Sequence, residues 1–366
     1  MEDVTRLSLF AATNVSPISN STIIITPLNY AYLTLTCLMS TLSALGTLLI
    51  IWTYFLYPQT HNTCRRMLVH LSIADFLMAV GNFLGVPEAL DMTRISLGYQ
   101  TSIICVISGT IATISSISSF LWTSVIAVYL YICIVQSRSR LLGTKTLVAT
   151  YITCWLVPVI VAILANIYHV FGYDPSLHHM SSCWISSAVP DQLMWQFLTG
   201  KAWEIVAYFV TGIFYALVKY HVYKEMRYAY NLGSQSMQAI YRVNRKMTFV
   251  PLVFILLRIW GTIRFLIGVV DHSYASSPAS TWIVVMQGFG DSSQGFANCV
   301  LFCFCSPKLR QLMLTSFRKW TTGFTSRKDR TKITSTMACS AKTVINTGTN
   351  ERAPLLQDKN ISSSNT

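Results

Sequence analysis

Residues 101–135 read TSIICVISGTIATISSISSFLWTSVIAVYLYICIV and contain no Asp, Glu, Lys or Arg. About 20 apolar residues are enough for a helix to cross the hydrocarbon core of a bilayer. Lipid offers no hydrogen-bond partner to the backbone, so the polar groups of such a segment must pair with one another. We therefore predict that residues 101–135 form a membrane-spanning helix.

Six further segments on either side of this helix have the length of a membrane span. Their ranges are 28–56, 66–90, 146–170, 195–223, 247–270 and 279–305. The alternating pattern of a membrane β-barrel strand is absent from the sequence. The predicted fold class is therefore an all-α membrane protein, a seven-transmembrane helix bundle.

The composition of the 366-residue chain favours the same class. Charged residues make up 11% of the chain, where soluble domains carry roughly 25%. Hydrophobic residues make up 52%, and the mean hydropathy is +0.48. Because so few charges cannot cover a soluble surface, we predict an integral membrane protein.

The basic residues predict the orientation of the bundle. With the amino terminus outside, 22 of the 27 Lys and Arg residues lie in the inner loops, the tail or the adjoining helix ends. That distribution is the positive-inside pattern. We therefore expect an extracellular amino terminus and a cytosolic carboxyl terminus. Asn14 and Asn20 begin Asn-x-Ser/Thr tripeptides and are then candidate glycosylation sites.

The predicted topology divides the chain into four regions. Residues 1–27 form a short extracellular segment, and residues 28–305 form the seven-helix domain. Residues 306–320 mix leucines with basic residues and predict a short amphipathic helix on the inner leaflet. Residues 321–366 are rich in Ser, Thr, Lys and Asn, which predicts a disordered cytoplasmic tail.

Two cysteines stand apart from those that lie in or beside the spans. Cys105 lies at the outer end of the third span, and Cys183 lies in the loop between the fourth and fifth spans. Both face an oxidising compartment in this orientation, so we favour a bridge between them over two free thiols. The sequence has no Cys-x-x-Cys and no His-x-x-x-His pair, and we predict neither a metal site nor a cofactor.

Ionisable residues inside a span cost about 2.5–3.5 kcal/mol each on insertion scales and are therefore functional candidates. Lys201 and Glu204 are three residues apart, which places them on one helix face. They form either an internal ion pair or a ligand contact, and the sequence favours neither. Trp203 and Trp260 line either a cavity or a membrane interface.

Arg258 lies near the middle of the sixth span and needs an acidic partner inside the bundle. Asp75, Glu204 and Asp291 are the candidate partners, and the sequence does not choose among them. On the seventh span, Asp291, Gln294 and Asn298 form a polar stripe that must face the bundle. For Asn298, a hydrogen bond between helices is favoured over direct ligand contact.

Several strings in the spans resemble those of G-protein-coupled receptors, and within them a group of orphan receptors near the cyclic-AMP-receptor-like and secretin-like (family 2) receptors. The strings are residues 71–77 (LSIADFL), 118–131 (SSFLWTSVIAVYLY), 198–205 (LTGKAWEI), 250–265 (VPLVFILLRIWGTIRF) and 294–304 (QGFANCVLFCF). The likeness covers about residues 30–305. It implies a receptor, not an enzyme, that passes an extracellular signal to a heterotrimeric G protein by rearranging spans five to seven.

The sequence departs from rhodopsin-like receptors at two of their switches. The third span ends in Tyr129-Leu130-Tyr131 without an Asp-Arg-Tyr triplet, and the seventh span has no proline after Asn298. The rhodopsin-like switches are therefore not carried over. Only about 27 residues precede the first span and none is cysteine, so a disulfide-rich hormone-binding ectodomain is not expected.

Two sets of residues are functional candidates, the first from the polar residues inside the spans and the second from the resemblance. The candidates for a ligand pocket or switch are Lys201, Trp203, Glu204, Arg258, Trp260, Asp291, Gln294, Asp75 and Asn298. The candidates that face the G protein are Arg138, Arg140, Lys224, Arg227, Arg242, Arg245 and Lys246. Positive-inside charge alone also explains the second set.

The predicted partners are an unknown extracellular ligand, a heterotrimeric G protein and the anionic lipid of the inner leaflet, and no nucleic acid. We predict a multi-pass protein of the plasma membrane. An acidic dileucine sorting signal is matched by Glu351, Leu355 and Leu356. The sequence therefore also allows a fraction of the protein in endosomes or lysosomes, and it does not separate the plasma membrane from the cilium. A transporter or channel that uses the buried charges is the alternative function, although the sequence shows no internal repeat.

Overall fold

The structure is a computed structural model that describes residues 27–90, 102–135, 143–172, 183–186, 188–232, 249–275, 277–304, 309–316 and 318. Several predicted sites lie outside these residues and stay predictions. They are Asn14, Asn20, Arg138, Arg140, Arg242, Arg245, Lys246, Glu351, Leu355 and Leu356.

The first compact unit of the chain runs from Met1 to Ser306, and its described residues contain seven long helices. The first four are α1 (Pro27–Leu56), α2 (Thr63–Leu90), α3 (Ile103–Val135) and α4 (Thr144–Ile167). Helix α5 has three joined parts: an α-helical turn at Gln192–Gln196, a π-helical turn at Phe197–Lys201 and a long α-helix at Ala202–Leu232. Helix α6 spans Phe249–Val270, and α7 spans Thr281–Cys299 and continues as a π-helical turn at Val300–Phe304.

Six of these helices, α1 to α6, are long and apolar enough to cross a membrane by length and hydropathy in the described part of the chain. The seventh helix fails that test because its inward face is polar, with Gln287, Asp291, Gln294 and Asn298 on it. Helix α7 nevertheless packs along α1. Gly46 of α1 lies so close to α7 that a side chain there would touch the Cys299 side chain and the Gly295 carbonyl at 2.9 and 3.3 Å. The structure thus confirms the all-α helix bundle.

The predicted span ends lie within three residues of the helix ends, except that the end of the fifth span is wrong by nine residues. Helix α4 ends at Ile167 rather than at 170, because His169 adopts a left-handed backbone with φ of 49° that no α-helix continues. Helix α5 continues to Leu232 rather than ending at 223. Lys224, Glu225 and Arg227 end the apolar run but do not end the helix, since Lys, Glu and Arg are good helix formers.

A disulfide between Cys105 and Cys183 joins the start of α3 to the loop that follows α4, as predicted. We call this end of the bundle the disulfide end. Beside the bridge, β1 (Phe171–Gly172) and β2 (Trp184–Ile185) form an antiparallel pair in which Phe171 faces Ile185. The pair packs with Ala165 of α4 and Trp195 of α5 in one apolar cluster. The described parts of this loop, residues 171–172 and 183–186, therefore lie against α3, α4 and α5.

The connection between α6 and α7 is also ordered by local bonds. The Asp271 carboxylate accepts hydrogen bonds from the Ser273 hydroxyl at 2.6 Å and from the Tyr274 backbone N–H at 3.0 Å. Because these bonds stabilise the charged form, first of all the bond from Ser273, the pKa of Asp271 lies below its ordinary value.

The second compact unit runs from Pro307 to Thr366. Residues 309–316 within it are helical, inside the range 306–320 where the sequence predicts an amphipathic helix.

Candidate functional site

Lys201 and Glu204 form a buried ion pair in α5, with 2.6 Å between the Lys201 ammonium and Glu204 Oε2. Glu204 Oε1 accepts a second bond, also 2.6 Å long, from the Tyr208 hydroxyl. Tyr208 lies in turn 3.2 Å from the Thr262 hydroxyl of α6. The i, i+3 spacing seen in the sequence therefore does produce an ion pair, and the pair is linked to α6 through Tyr208.

The π-helical turn at Phe197–Lys201 ends on the lysine of this pair. A π-turn inserts one extra residue per turn and rotates the following side chains, and such turns are frequent at functional sites. The indole of Trp184, which follows Cys183 in the chain, lies over Gly200, so that a side chain at Gly200 would meet it at 3.2 Å. The disulfide-bonded loop is thus in contact with the turn that positions Lys201.

Arg258 of α6 pairs with Asp291 of α7 at 3.4 Å, which settles the partner that the sequence left open. The arginine side chain is 5% exposed and that of Asp291 is 25% exposed, so the pair is largely buried and the arginine is the more deeply buried partner. The guanidinium also lies 5.1 Å from the centroid of the Phe120 ring in α3, a cation–π arrangement. Arg258 therefore contacts two other helices besides its own.

A chain of hydrogen bonds runs from Arg258 to Asp75. Arg258 Nε donates to Gln294 Oε1 at 3.0 Å, and Gln294 Nε2 donates to the Ser119 hydroxyl at 2.8 Å. Ser119 donates to Asp75 Oδ1 at 3.0 Å, and Asn298 donates to Asp75 Oδ2 at 2.8 Å. We call this chain the polar relay, and it connects α6, α7, α3 and α2.

Gln287 of α7 extends the hydrogen bonding of the Arg258–Asp291 pair towards the disulfide end. It donates to Asp291 Oδ2 at 3.3 Å and accepts a bond from Arg264 of α6 at 3.0 Å. A Cβ added to Gly261 of α6 would lie 3.4 Å from both the Gln287 amide nitrogen and the Lys201 ammonium. The α5 pair and the α7 amide thus converge on one glycine of α6.

The two predicted tryptophans lie outside the hydrogen-bond network that links the buried charges. Trp203 is half-buried and donates its indole N–H to the Leu198 carbonyl at 2.8 Å, which is a bond within α5. Trp260 packs edge to face on Trp282 with 6.2 Å between centroids, and Trp282 is exposed. Neither Trp203 nor Trp260 shares a described hydrogen bond with the relay.

Sequence reasoning missed four residues of the site: Ser119, Tyr208, Thr262 and Gln287. Gln287 precedes Asp291 by four residues and Gln294 by seven, so helical spacing was a usable signal for it. Tyr208 follows Glu204 by four residues and was open to the same argument. Ser119 and Thr262 carry no such signal, because Ser and Thr are common within membrane helices.

Two of the basic residues predicted to face the G protein are described. Lys224 and Arg227 are both exposed near the end of α5, and the Arg227 guanidinium lies 5.8 Å from the Tyr223 ring centroid. A continuous helix carries both, so they lie on a rigid extension and not in the loop that the sequence predicted.

A bundle of seven helices that is tied at one end by a disulfide-bonded loop and crossed by buried charges is the architecture of a seven-transmembrane receptor. Residues 46–292 match the family model described as 7 transmembrane receptor (rhodopsin family), and the chain belongs to that family. It is therefore a multi-pass G-protein-coupled receptor.

Comparison with known proteins identifies relatives of the same kind. The chain is 33% identical to G-protein coupled receptor 157 of Homo sapiens over 275 residues, which covers 74% of this chain and 79% of that protein. It is 34% identical to the protein of the same name from Mus musculus over 280 residues, or 74% and 80% of the two chains. It is also 22% identical to Cyclic AMP receptor-like protein A of Dictyostelium discoideum over 263 residues, or 72% and 61%.

Proposed function

We propose that this receptor transmits an extracellular signal to a heterotrimeric G protein by rearranging α5, α6 and α7 around Arg258. The polar relay is the observation that supports this proposal most directly. One arginine of α6 bonds to α7 at Asp291 and Gln294, and through Gln294 it reaches α3 and α2. A displacement of α6 therefore cannot leave the other helices unaffected.

In this proposal the extracellular ligand acts first on the Lys201–Glu204 pair. A ligand that draws Lys201 away from Glu204 frees the carboxylate that accepts the Tyr208 hydroxyl, and Tyr208 contacts Thr262 of α6. Thr262 lies one helical turn from Arg258, so the shift of α6 reaches the Arg258–Asp291 pair. The contacts with Gln294 and Asp291 then re-form or break as a set, which is the two-state behaviour that a switch requires.

The output surface in this proposal is the end of the bundle opposite the disulfide. Lys224 and Arg227 on the α5 extension, together with the predicted set Arg138, Arg140, Arg242, Arg245 and Lys246, would face the G protein and the anionic inner leaflet. We propose the plasma membrane as the site of action, with the dileucine pattern serving internalisation.

The orientation gives the first testable prediction. If the amino terminus is extracellular, Asn14 and Asn20 receive glycans in mammalian cells, and treatment with peptide N-glycosidase F increases the mobility of the protein on a gel. An Asn14→Gln/Asn20→Gln double variant should run at the deglycosylated position without treatment. An untreated wild type that already has the mobility of the double variant contradicts the orientation.

The relay gives the second prediction. Gln294→Leu removes both the acceptor of Arg258 and the donor to Ser119, so we expect signalling to fall at least several-fold at matched surface expression. Asn166→Leu is the control, since Asn166 also bonds across helices, to Thr110 of α3 at 3.0 Å, but lies outside the relay. Equal signalling in both variants would remove Gln294 from the mechanism.

The function itself is tested by second-messenger output. Calcium and cyclic AMP are measured together in cells that express the wild-type chain at graded levels, beside cells with empty vector. A response that grows with expression and is reduced by Gln294→Leu supports the proposal and identifies the pathway. Ion or solute flux through the purified protein in liposomes, without any second-messenger response, would instead support the transporter alternative.

A further inference from the structure

Two cysteines lie one turn apart where α7 changes from an α-helix to a π-helix. Cys299 is the last residue of the α-helical part, and Cys303 lies in the π-helical turn that follows. Residues four apart in a helix share one face, and the two thiols are in direct contact. Both side chains are buried, and neither cysteine is in a disulfide. We call Cys299 and Cys303 the thiol pair.

Arg65 of α2 places a positive charge beside the thiol pair. Its guanidinium donates to the Thr53 hydroxyl of α1 at 3.0 Å and to the Thr60 hydroxyl. The Cys303 thiol contacts the same Thr53 hydroxyl and lies within electrostatic range of Arg65. Arg65 is 9% exposed, and no described carboxylate forms an ion pair with it. The buried charge therefore acts on the Cys303 sulfur without a competing anion among the described residues.

These neighbours suit the chemistry of thiol oxidation. The thiolate is the nucleophile in that reaction, and a guanidinium stabilises the negative charge of the sulfur while it attacks. The first product, a sulfenic acid, condenses with a neighbouring thiol to a disulfide. Cys303 has the cation beside it, and Cys299 supplies the second thiol. Cys154 of α4 is equally buried, but its described interactions include neither a cation nor a second thiol.

The thiol pair lies near the end of the bundle opposite the disulfide. Thr60, which accepts a bond from Arg65, ends the turn Pro58–Thr60, and Pro58 and Gln59 in that turn are exposed. Phe304, the residue after Cys303, is 51% exposed. Helix ends open locally more readily than helix centres, and hydrogen peroxide is close to water in size. A transient opening of this helix end is therefore sufficient for the oxidant to reach Cys303.

We propose that the thiol pair is an oxidation site at which hydrogen peroxide forms a disulfide across one turn of α7. The Cys303 thiolate attacks one peroxide oxygen, the O–O bond breaks and hydroxide leaves, which gives a sulfenic acid. The Cys299 sulfur then displaces the sulfenic oxygen, which leaves as water. Two thiols and one peroxide thus give one disulfide and two water molecules. Disulfides that form in the cytosol are usually transient and redox-sensing, so the bond is a reversible modification.

The disulfide would act on the polar relay, a consequence that rests on the proposed function. Cβ atoms four residues apart in a helix are separated by about 5–6 Å, whereas a disulfide holds them about 3.5–4.5 Å apart. Oxidation therefore draws Cys299 and Cys303 together and distorts the turn between them. Asn298 precedes Cys299 and donates to Asp75 at 2.8 Å, so the distortion weakens this bond of the relay. We expect oxidation to reduce signalling.

The chemical test uses the wild-type full chain in lipid nanodiscs. The protein is treated with hydrogen peroxide, denatured, alkylated and digested, and the peptide that carries both cysteines is analysed by mass spectrometry. We expect a peptide that has lost two hydrogen atoms and carries no alkyl group, while Cys154 is fully alkylated. Treatment with reduced glutathione after removal of the peroxide should restore both thiols. Two alkylated cysteines in the treated wild type, or equal oxidation of Cys154, overturn the proposal.

Single variants identify the attacking sulfur. In Cys299→Ala the sulfenic acid at Cys303 has no thiol to condense with, so dimedone should trap it. In Cys303→Ala the remaining Cys299 should stay a thiol, because the sulfur beside Arg65 is absent. Cys154→Ala is the matched control, since it removes another buried thiol and should still form the disulfide. Equal trapping by dimedone at Cys299 and Cys303 contradicts Cys303 as the attacking sulfur.

Nucleotide exchange on the G protein separates the site from its effect. Peroxide should lower exchange by the wild type several-fold, glutathione should restore it, and Cys303→Ala should be unaffected by either treatment. A disulfide that forms without any change in exchange overturns the link to the relay. A disulfide in a chain that activates no G protein keeps the oxidation site and rejects the proposed function.

Discussion

Arg258→Leu is expected to abolish signalling at matched surface expression and to lower the stability of the bundle. The substitution leaves Asp291 without its cation and Gln294 Oε1 without its donor, in a part of the bundle where the arginine is 5% exposed. Removal of one partner of a buried ion pair costs about 3–5 kcal/mol, and the partial exposure of Asp291 places this case at the low end. Signalling falls because α6 loses its contacts with Asp291, Gln294 and Phe120 together.

A double variant separates stability from signalling. Arg258→Leu/Asp291→Leu removes both charges, and replacement of a buried pair by apolar residues of similar volume is often neutral or stabilising. We therefore expect the double variant to recover most of the thermal stability that the single variant loses, and to remain silent. If stability and signalling recover together, Arg258 is a packing residue and not part of the switch.

Gly290→Ala is expected to be the most damaging glycine substitution in α7. A Cβ at this position would overlap the Leu257 carbonyl oxygen and lie 2.9 Å from the carbonyl carbon, and both atoms belong to the α6 backbone. A backbone cannot rotate away as a side chain can, so α6 and α7 must separate. Overpacking costs about 1–3 kcal/mol and occasionally more, and this contact belongs at the upper end. The separation also moves Arg258, the residue after Leu257, away from Asp291, the residue after Gly290.

Matched controls isolate the contact from the substitution. Gly212→Ala in α5 and Gly268→Ala in α6 introduce the same methyl group where no atom lies within 4 Å. Because alanine favours a helix over glycine by about 1 kcal/mol, both controls should be neutral or slightly stabilised. Thermal unfolding and surface expression of the three variants are compared side by side. A Gly290→Ala variant as stable and as well expressed as its controls contradicts the close packing of α6 on α7.

The membrane helices were predictable because their cause is local: an apolar run of sufficient length must be helical in lipid. The placement of Lys201 and Glu204 on one helix face was predictable for the same reason, although the spacing did not decide between an ion pair and a ligand contact. The partner of Arg258 was not, because three carboxylates met the requirement and the choice depends on how α6 packs against α7. Gly290 lies against the Leu257 backbone in that packing, and a single glycine in a span does not reveal which backbone approaches it.

The ends of the helices were also harder to predict from the sequence than the helices themselves. The apolar run of α5 ends before Lys224, which predicts a span that ends at 223, whereas the helix continues to Leu232. Hydropathy reports where the lipid ends, and a helix ends where its backbone geometry changes.

Guanine nucleotide exchange tests the central claim most directly. The purified full chain in lipid nanodiscs is mixed with purified heterotrimers, one from each class of Gα subunit, and the rate of GTPγS binding is compared between wild type and Arg258→Leu. A receptor without ligand populates its active state to a small extent, so exchange at high receptor concentration is measurable. The account predicts that the wild type accelerates exchange on at least one heterotrimer and that Arg258→Leu does not. Acceleration by neither protein, or equal acceleration by both, would contradict it.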